Sequence, residues 1–215
     1  MAQITVLGGT GYSGEAIVRE ANARGHQVTS WSRGPASSPI AGVRYETGSL
    51  LDPDVRVRAV DGADAVVGAL SPRGELEADF ASVYGDIARL AAAASSTWAV
   101  VGGYSSRRTV PGGPRIAESF EVPEEWRPEI DAMVDVIDAL ERTAPAGLDW
   151  FYLSPPLEFG GDDPVEGSGT YHLVADGEAP VHASPRLSAA DLARAIVDEI
   201  ESPQHRGGLF GISAG

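Results

Sequence analysis

The stretch Val6-Leu7-Gly8-Gly9-Thr10-Gly11-Tyr12-Ser13-Gly14 carries glycine in two overlapping spacings. Gly9, Gly11 and Gly14 read as G-x-G-x-x-G, and Gly8, Gly11 and Gly14 as G-x-x-G-x-x-G. An apolar run, Ile4 to Leu7, precedes it, and a helical pattern, Glu15 to Ala23, follows. A strand, a glycine turn and a helix together cradle a pyrophosphate. Glycine has no Cβ, so the backbone turns tightly and approaches the phosphate closely. The helix start then offers free N–H groups and the positive end of its dipole. Placed between strand and helix, the spacing reads as a dinucleotide site.

A second chemical signal lies at the end of the next apolar run, Gln27 to Trp31. A site for a dinucleotide with a free ribose 2′-hydroxyl would carry Asp or Glu there, to accept that hydroxyl. This chain has Ser32-Arg33 instead. A carboxylate would repel a 2′-phosphate, whereas a guanidinium forks onto one. The expected cofactor is therefore NADP, with NADPH preferred over NADH.

Other chemistry is limited by what the chain lacks. All 16 basic residues are arginine, and there is neither lysine nor cysteine. Schiff-base chemistry, a P-loop lysine, a Tyr-x-x-x-Lys proton relay, thiolate nucleophiles and Cys-ligated metals are all excluded. His26, His172, His182 and His205 show no metal-ligand spacing and read as ordinary histidines, with action on substrate the alternative for His172 in the Thr170 to Val174 strand. No Gly-x-Ser-x-Gly elbow is present. The acid pairs Glu124-Glu125 and Asp162-Asp163 fall in loops and read as solvated.

The net charge of −15 and the absence of any basic run beyond Arg107-Arg108 argue against nucleic acid or an anionic membrane surface as partner. An anionic ligand must then be held by local arginines and backbone N–H groups. There is no basic leader before the first strand and no apolar run of roughly 20 residues. With the lack of cysteine this leads us to expect a cytoplasmic protein.

The 215 residues suffice for one sizeable domain, 1–215, with no internal repeat or dividing linker. Strands are expected at Gln3 to Leu7, Gln27 to Trp31, Val43 to Thr47, Asp64 to Leu70, Trp98 to Val101, Leu148 to Leu153, Thr170 to Val174 and Leu209 to Ile212. Helices are expected at Ser13 to Arg24, Pro53 to Val60, Glu77 to Ala94, Pro128 to Thr143 and Ser188 to Glu201. In the third of these Phe80, Val83, Tyr84, Ile87, Leu90 and Ala91 form an apolar stripe that should face the sheet. Regular alternation of strand and helix gives an α/β fold, a doubly wound and mostly parallel sheet. The irregular segment Arg107 to Arg127 leaves the carboxyl end of a central strand, where it could fold over a ligand.

Four blocks in this order carry a family resemblance: Gly8 to Gly14, Val100-Val101-Gly102-Gly103-Tyr104-Ser105, Asp149 to Pro156, and Gly169-Thr170-Tyr171-His172 leading to Arg186 through Ala193. The Val122 to Glu129 loop adds to them. The chain resembles the atypical short-chain dehydrogenase/reductase-like NAD(P)H-binding proteins, within them the NADH-flavin reductases and the biliverdin reductase B group. That resemblance implies an NAD(P)-binding Rossmann fold, with residues from about 154 to 187 forming a small substrate-side lobe. It implies that Gly8, Gly9, Thr10, Gly11, Tyr12, Ser13 and Gly14 form the pyrophosphate turn and that Arg33 binds the 2′-phosphate. Ser49 and Leu50 would flank the adenine, and Ala69, Leu70 and Ser71 would pass under the ribose and nicotinamide. Ser105 would sit at the nicotinamide as the catalytic residue, with Pro155, Pro156 and Leu157 walling the ring.

Two departures shape the expected chemistry. The family often has Asp where Ser49 stands, and biliverdin reductase B-like proteins place His at the Leu157 position. Without that His or a Tyr-x-x-x-Lys there is no evident proton donor for a carbonyl substrate. Reduction of a flavin asks less, since hydride transfer between stacked rings can draw its proton from solvent. The expected activity is NADPH-dependent reduction of a free flavin, quinone or similar flat acceptor by a monomer or homodimer. Tyr104 and Trp126 would add stacking surface. The alternative is an NADPH-binding regulator without turnover.

Overall fold

The computed structural model describes residues 1–119, 121–178 and 185–215. Among them the strands are β1 (Gln3–Leu7), β2 (Gln27–Ser32), β3 (Arg44–Thr47), β4 (Ala65–Gly68), β5 (Thr97–Val101), β6 (Trp150–Ser154), β7 (Tyr171–Ala175) and β8 (Gly208–Ala214). The helices are α1 (Tyr12–Ala23), α2 (Pro53–Val60), α3 (Phe80–Ala94), α4 (Ile116–Ser119), α5 (Arg127–Thr143) and α6 (Ala189–Glu201). The strands form one sheet in the order β3-β2-β1-β4-β5-β6-β8-β7. All neighbours are parallel except the edge pair, in which β7 runs antiparallel to β8.

Alternating side chains fill two cores, one on each face of the sheet. Leu7, Val66, Trp98, Val100 and Tyr152 point to the face covered by α2, α3 and α5, where Phe80, Tyr84 and Ile137 meet them. Val6, Val67, Ala99, Phe151 and Leu153 point to the other face, under Val18 and Ala21 of α1 and Leu192 and Ile196 of α6. The register sets Leu7 level with both Trp31 and Gly68, so the loops leaving β2, β1 and β4 open side by side. The strand order reverses direction between β1 and β4, which leaves a crevice at their carboxyl ends.

One expectation changes. The helix expected from Glu77 starts at Phe80; a 3₁₀ turn, Gly74–Leu76, precedes it, because Gly74 sits at φ +64° and Glu77 and Asp79 bond back three residues. The last strand, β8, inserts between β6 and β7. Of the 107–127 segment, which could fold over a ligand, Trp126 alone among the described residues borders the crevice, and the middle of the segment is held by ion pairs. Arg115, only 3% exposed, pairs with Asp138 and Glu141 of α5, and Arg108 pairs with Glu141 and Asp176, pinning the segment to the helix. Arg108 holds the Glu141 carboxyl below the usual range. Of the four histidines, His182 lies outside the described residues. His26 accepts from the Ala2 N–H through Nδ1 and meets Glu201 through Nε2, and His205 pairs with Glu199. Among the described residues no group of side chains is arranged to hold a metal ion.

Candidate dinucleotide and acceptor cleft

The crevice at the carboxyl ends of the strands is a cleft of about 850 Å³. Its floor begins at the glycine turn. Gly8 adopts φ +82°, and a Cβ there would lie 2.5 Å from the Ala69 carbonyl oxygen, so glycine alone fits. The Gly8 and Gly9 N–H groups both donate to the Trp31 carbonyl, which ties the turn to β2. Gly14 packs α1 directly on the turn, and a Cβ on it would be driven into the Gly8 carbonyl. Gly8, Thr10, Gly11, Tyr12 and Ser13 line the cleft. Gly9 and Gly14 are buried behind it and shape the turn instead.

The start of α1 is chemically open. Its N-cap is Gly11, and no side chain caps the first turn. The N–H groups there face the cleft, and the dipole favours an anion at that point. Tyr12 lines the same wall, its ring tilted at 54° to Phe159 with centroids 5.4 Å apart, and its hydroxyl is buried with no hydrogen-bond partner among the described residues. An uncapped helix start, a turn in which a Cβ cannot fit and an orphaned buried hydroxyl together fit the pyrophosphate of a dinucleotide.

One end of the cleft is built from Trp31, Ser32, Arg33, Gly48, Leu50, Glu75 and Leu76. Arg33 is exposed and has no ion pair among the described residues. The Leu50 carbonyl accepts from Arg56 Nη1 at 2.6 Å, and Arg56 is itself anchored to Asp86. The guanidinium of Arg58 lies 5.8 Å over the Trp31 ring. Ser49 does not line the cleft. Its hydroxyl donates to the cleft-lining Glu75 at 3.0 Å and accepts from the Leu51 N–H.

Ala69, Leu70 and Ser71 line the middle. The Leu70 N–H donates to the hydroxyl of Tyr84, a phenol whose pKa is pushed up by complete burial. Ser105 lines the cleft in the 3₁₀ turn Tyr104–Ser106 and is half-buried. Its neighbour Ser106 also borders the cleft, but its hydroxyl is bonded to Tyr152 at 2.8 Å. Tyr152 further accepts from the Gly103 N–H and donates to the Met133 carbonyl, while Ser154 Oγ donates to the Gly103 carbonyl at 2.8 Å. Burial pushes the Tyr152 hydroxyl up to about 12, so it stays protonated and acts as a clamp on the 102–106 turn. Nothing in the residue spacing marks Tyr152 for this role. The sign available is a phenol at an inward position of a strand that must be wholly buried.

The far end is lined by Tyr104, Trp126, Glu129, Ile130, Met133, Pro155, Pro156, Leu157, Phe159 and Asp162. Trp126 and Leu157 are large apolar side chains left 56% and 61% exposed. Asp162, expected to be solvated, remains exposed but borders this end. Arg73 also lines it and is held by Glu129 through Nε and Nη2. Among the described residues no histidine reaches the cleft.

A doubly wound sheet with a glycine turn, an open helix start and a cleft at its reversal point defines a nucleotide-binding Rossmann protein. The chain belongs to the NAD(P)H-binding family, whose model matches residues 8–203. It is 27% identical over 218 residues to the uncharacterized protein YwnB of Bacillus subtilis, covering 97% of this chain and 96% of that protein. Among solved structures it is similar to SP1627 of Streptococcus pneumoniae, provisionally described as an NADH-flavin reductase, with a TM-score of 0.84, 25% identity and full coverage of both chains (100% and 100%). It is also similar to a Burkholderia pseudomallei protein provisionally described as exported, with a TM-score of 0.82 and 30% identity over 99% of this chain and 100% of that one. No helix among the described residues is long and apolar enough to cross a membrane.

Proposed function

We propose that this protein is an NADPH-dependent reductase that passes hydride to a free flavin, quinone or similar flat acceptor. One observation carries the reading. A single cleft runs from an uncapped helix start beside a free arginine to an apolar end with an exposed Trp126 and Leu157. Gly8 to Ser13 hold the pyrophosphate, and Arg33 forks onto the 2′-phosphate. Leu50 packs on the adenine, and Ala69 to Ser71 support the ribose and nicotinamide. Pro155 and Pro156 wall the ring, and Ser105 offers its free hydroxyl there. The lobe of about 154–187 is the acceptor side of a single domain, contributing Leu157, Phe159 and Asp162 to the cleft. When bound, a reduced nicotinamide supplies a hydride and is left oxidised; the acceptor's proton comes from solvent. This chain's residues bind, orient and stack.

The flavin-reductase description of the similar Streptococcus pneumoniae protein agrees with this reading. The test is NADPH absorbance with and without riboflavin, FMN and a quinone. Acceptor-dependent oxidation is expected. Tight NADPH binding without it would replace the reductase with a regulator. For the cofactor, Arg33→Ala should weaken NADPH by about tenfold to a hundredfold, the worth of a charge-assisted bond to phosphate, and leave NADH nearly unchanged. Equal loss for both removes the 2′-phosphate assignment.

A further inference from the structure

We infer that the acceptor is an uncharged flat ring, a phosphate-free isoalloxazine or a quinone, and that phosphate-bearing flavins are discriminated against. The inference rests on the reductase reading above and concerns the far end of the cleft. Three segments bring charge there: Arg73 from the loop after β4, Glu129 from the first turn of α5, and Asp162 from the loop after β6. Both Nε and Nη2 of Arg73 are engaged by Glu129, at 2.9 and 2.8 Å. Asp162 acts on the same guanidinium through space. One cation between two carboxylates leaves this end net negative, with its arginine paired to one of them.

A flavin phosphate carries about −1.5 to −2 charges at neutral pH. Arg73 keeps its Nη1 donors, but a phosphate placed on them would lie beside both Glu129 and Asp162, two carboxylates against one cation. At the opposite end Arg33 has no ion pair among the described residues, and the one carboxylate bordering it, Glu75, accepts from the Ser49 hydroxyl, so a phosphate there meets one unpaired cation and one carboxylate. The apolar surface at the acceptor end suits a ring. Trp126 and Leu157 are exposed beside Ile130 and Met133, and a large indole left in water gains most from stacking on a planar partner.

The test uses acceptor pairs that share a ring and differ in charge: riboflavin against FMN, and a naphthoquinone against its sulfonate. With the full-length protein and NADPH at low ionic strength, kcat/KM should be about tenfold higher for the uncharged member of each pair. The gap should narrow as salt screens it. Glu129→Gln, which frees Arg73, should bring FMN close to riboflavin; Asp162→Asn, an exposed loop change, should do so in part. FMN used as well as riboflavin by the unaltered protein, or a gap that salt leaves unchanged, would overturn the inference. Binding is read in parallel by flavin fluorescence with NADP present. Tighter riboflavin than FMN binding without NADPH oxidation would sink the reductase reading and keep the selectivity. Failure of both rings to bind would overturn the selectivity as well.

Discussion

Helices α1 and α6 lie side by side on one face of the sheet and both begin at its carboxyl edge, yet their starts are built in opposite ways. The first turn of α6 is sealed from within. Ser188 Oγ accepts from the Asp191 N–H at 2.9 Å. Asp191, 2% exposed, accepts from the Ser188 hydroxyl and from the Ser168 and Gly169 N–H groups. Its carboxylate thus spends its lone pairs on a neighbouring loop and supplies the negative charge that the helix dipole favours. The α1 start has Gly11 in the same position, with no side chain to close it. Helix dipoles of equal sign meet an internal anion in one case and the cleft in the other. A start left open beside a glycine turn is a place for a ligand's charge, and a sealed one is structure.

The comparison breaks most severely at Asp191. Asp191→Ala leaves a hydroxyl and two loop N–H groups without their acceptor, so it should cost about 3 kcal/mol in stability. Urea unfolding measures that loss, and cofactor affinity for the folded protein should barely change. Gly11→Asp does the reverse by making α1 resemble α6. The backbone there, φ −85° and ψ 174°, accepts any residue, and an added Cβ comes no closer than 3.4 Å to the Gly8 carbonyl. The apo protein should gain a few tenths to about 1 kcal/mol from the cap and dipole. NADPH affinity should fall by about a hundredfold in calorimetric titration, as the new carboxylate takes the place of the pyrophosphate. Unchanged affinity would mean that the start of α1 is no ligand site.

The smallest effect sharpens the contrast at the other end of helices. After α1, Gly25 sits at φ +83° while it and His26 bond back to Asn22 and Ala21. After α3 the same pair of bonds is made by Ser95 and Ser96, with Ser95 at φ +58°. A serine bears a left-handed cost that glycine does not, so Ser95→Gly should stabilise by up to about 1 kcal/mol, seen as a raised Tm with cofactor binding unaltered.

Much of the frame was legible from local pattern. The glycine spacing between an apolar run and a helical one marks the turn, and alternation of strand and helix implies a parallel, doubly wound sheet. Those signals are local because backbone conformation and binary patterning act over a few residues. The start of α3 was misplaced because apolar periodicity continues through Glu77, while Gly74 tightens the chain into a 3₁₀ turn first. The resemblance placed Ser49 beside the adenine, but in the fold Glu75, distant in sequence, takes its hydroxyl and borders the cleft in its place. The 107–127 segment read as irregular chain able to fold over a ligand, and only its end, at Trp126, borders the cleft. Its buried Arg115 pairs with the acids Asp138 and Glu141 on α5, a contact between distant segments that local spacing does not show.

By itself the sequence determined the fold class, the glycine turn at residues 8–14, the absence of lysine and cysteine chemistry, and an arginine at the end of β2. Each follows from residue type or short-range spacing. Tertiary structure alone decided which charges are free. Arg33 and Arg73 are the same residue type bordering the same cleft, and only the position of Glu129 across it makes one available and the other engaged. The same holds for the serines at 105 and 106, of which Tyr152 occupies one and leaves the other open. Pairing in space depends on which distant segments the sheet order brings together, and no local pattern encodes that.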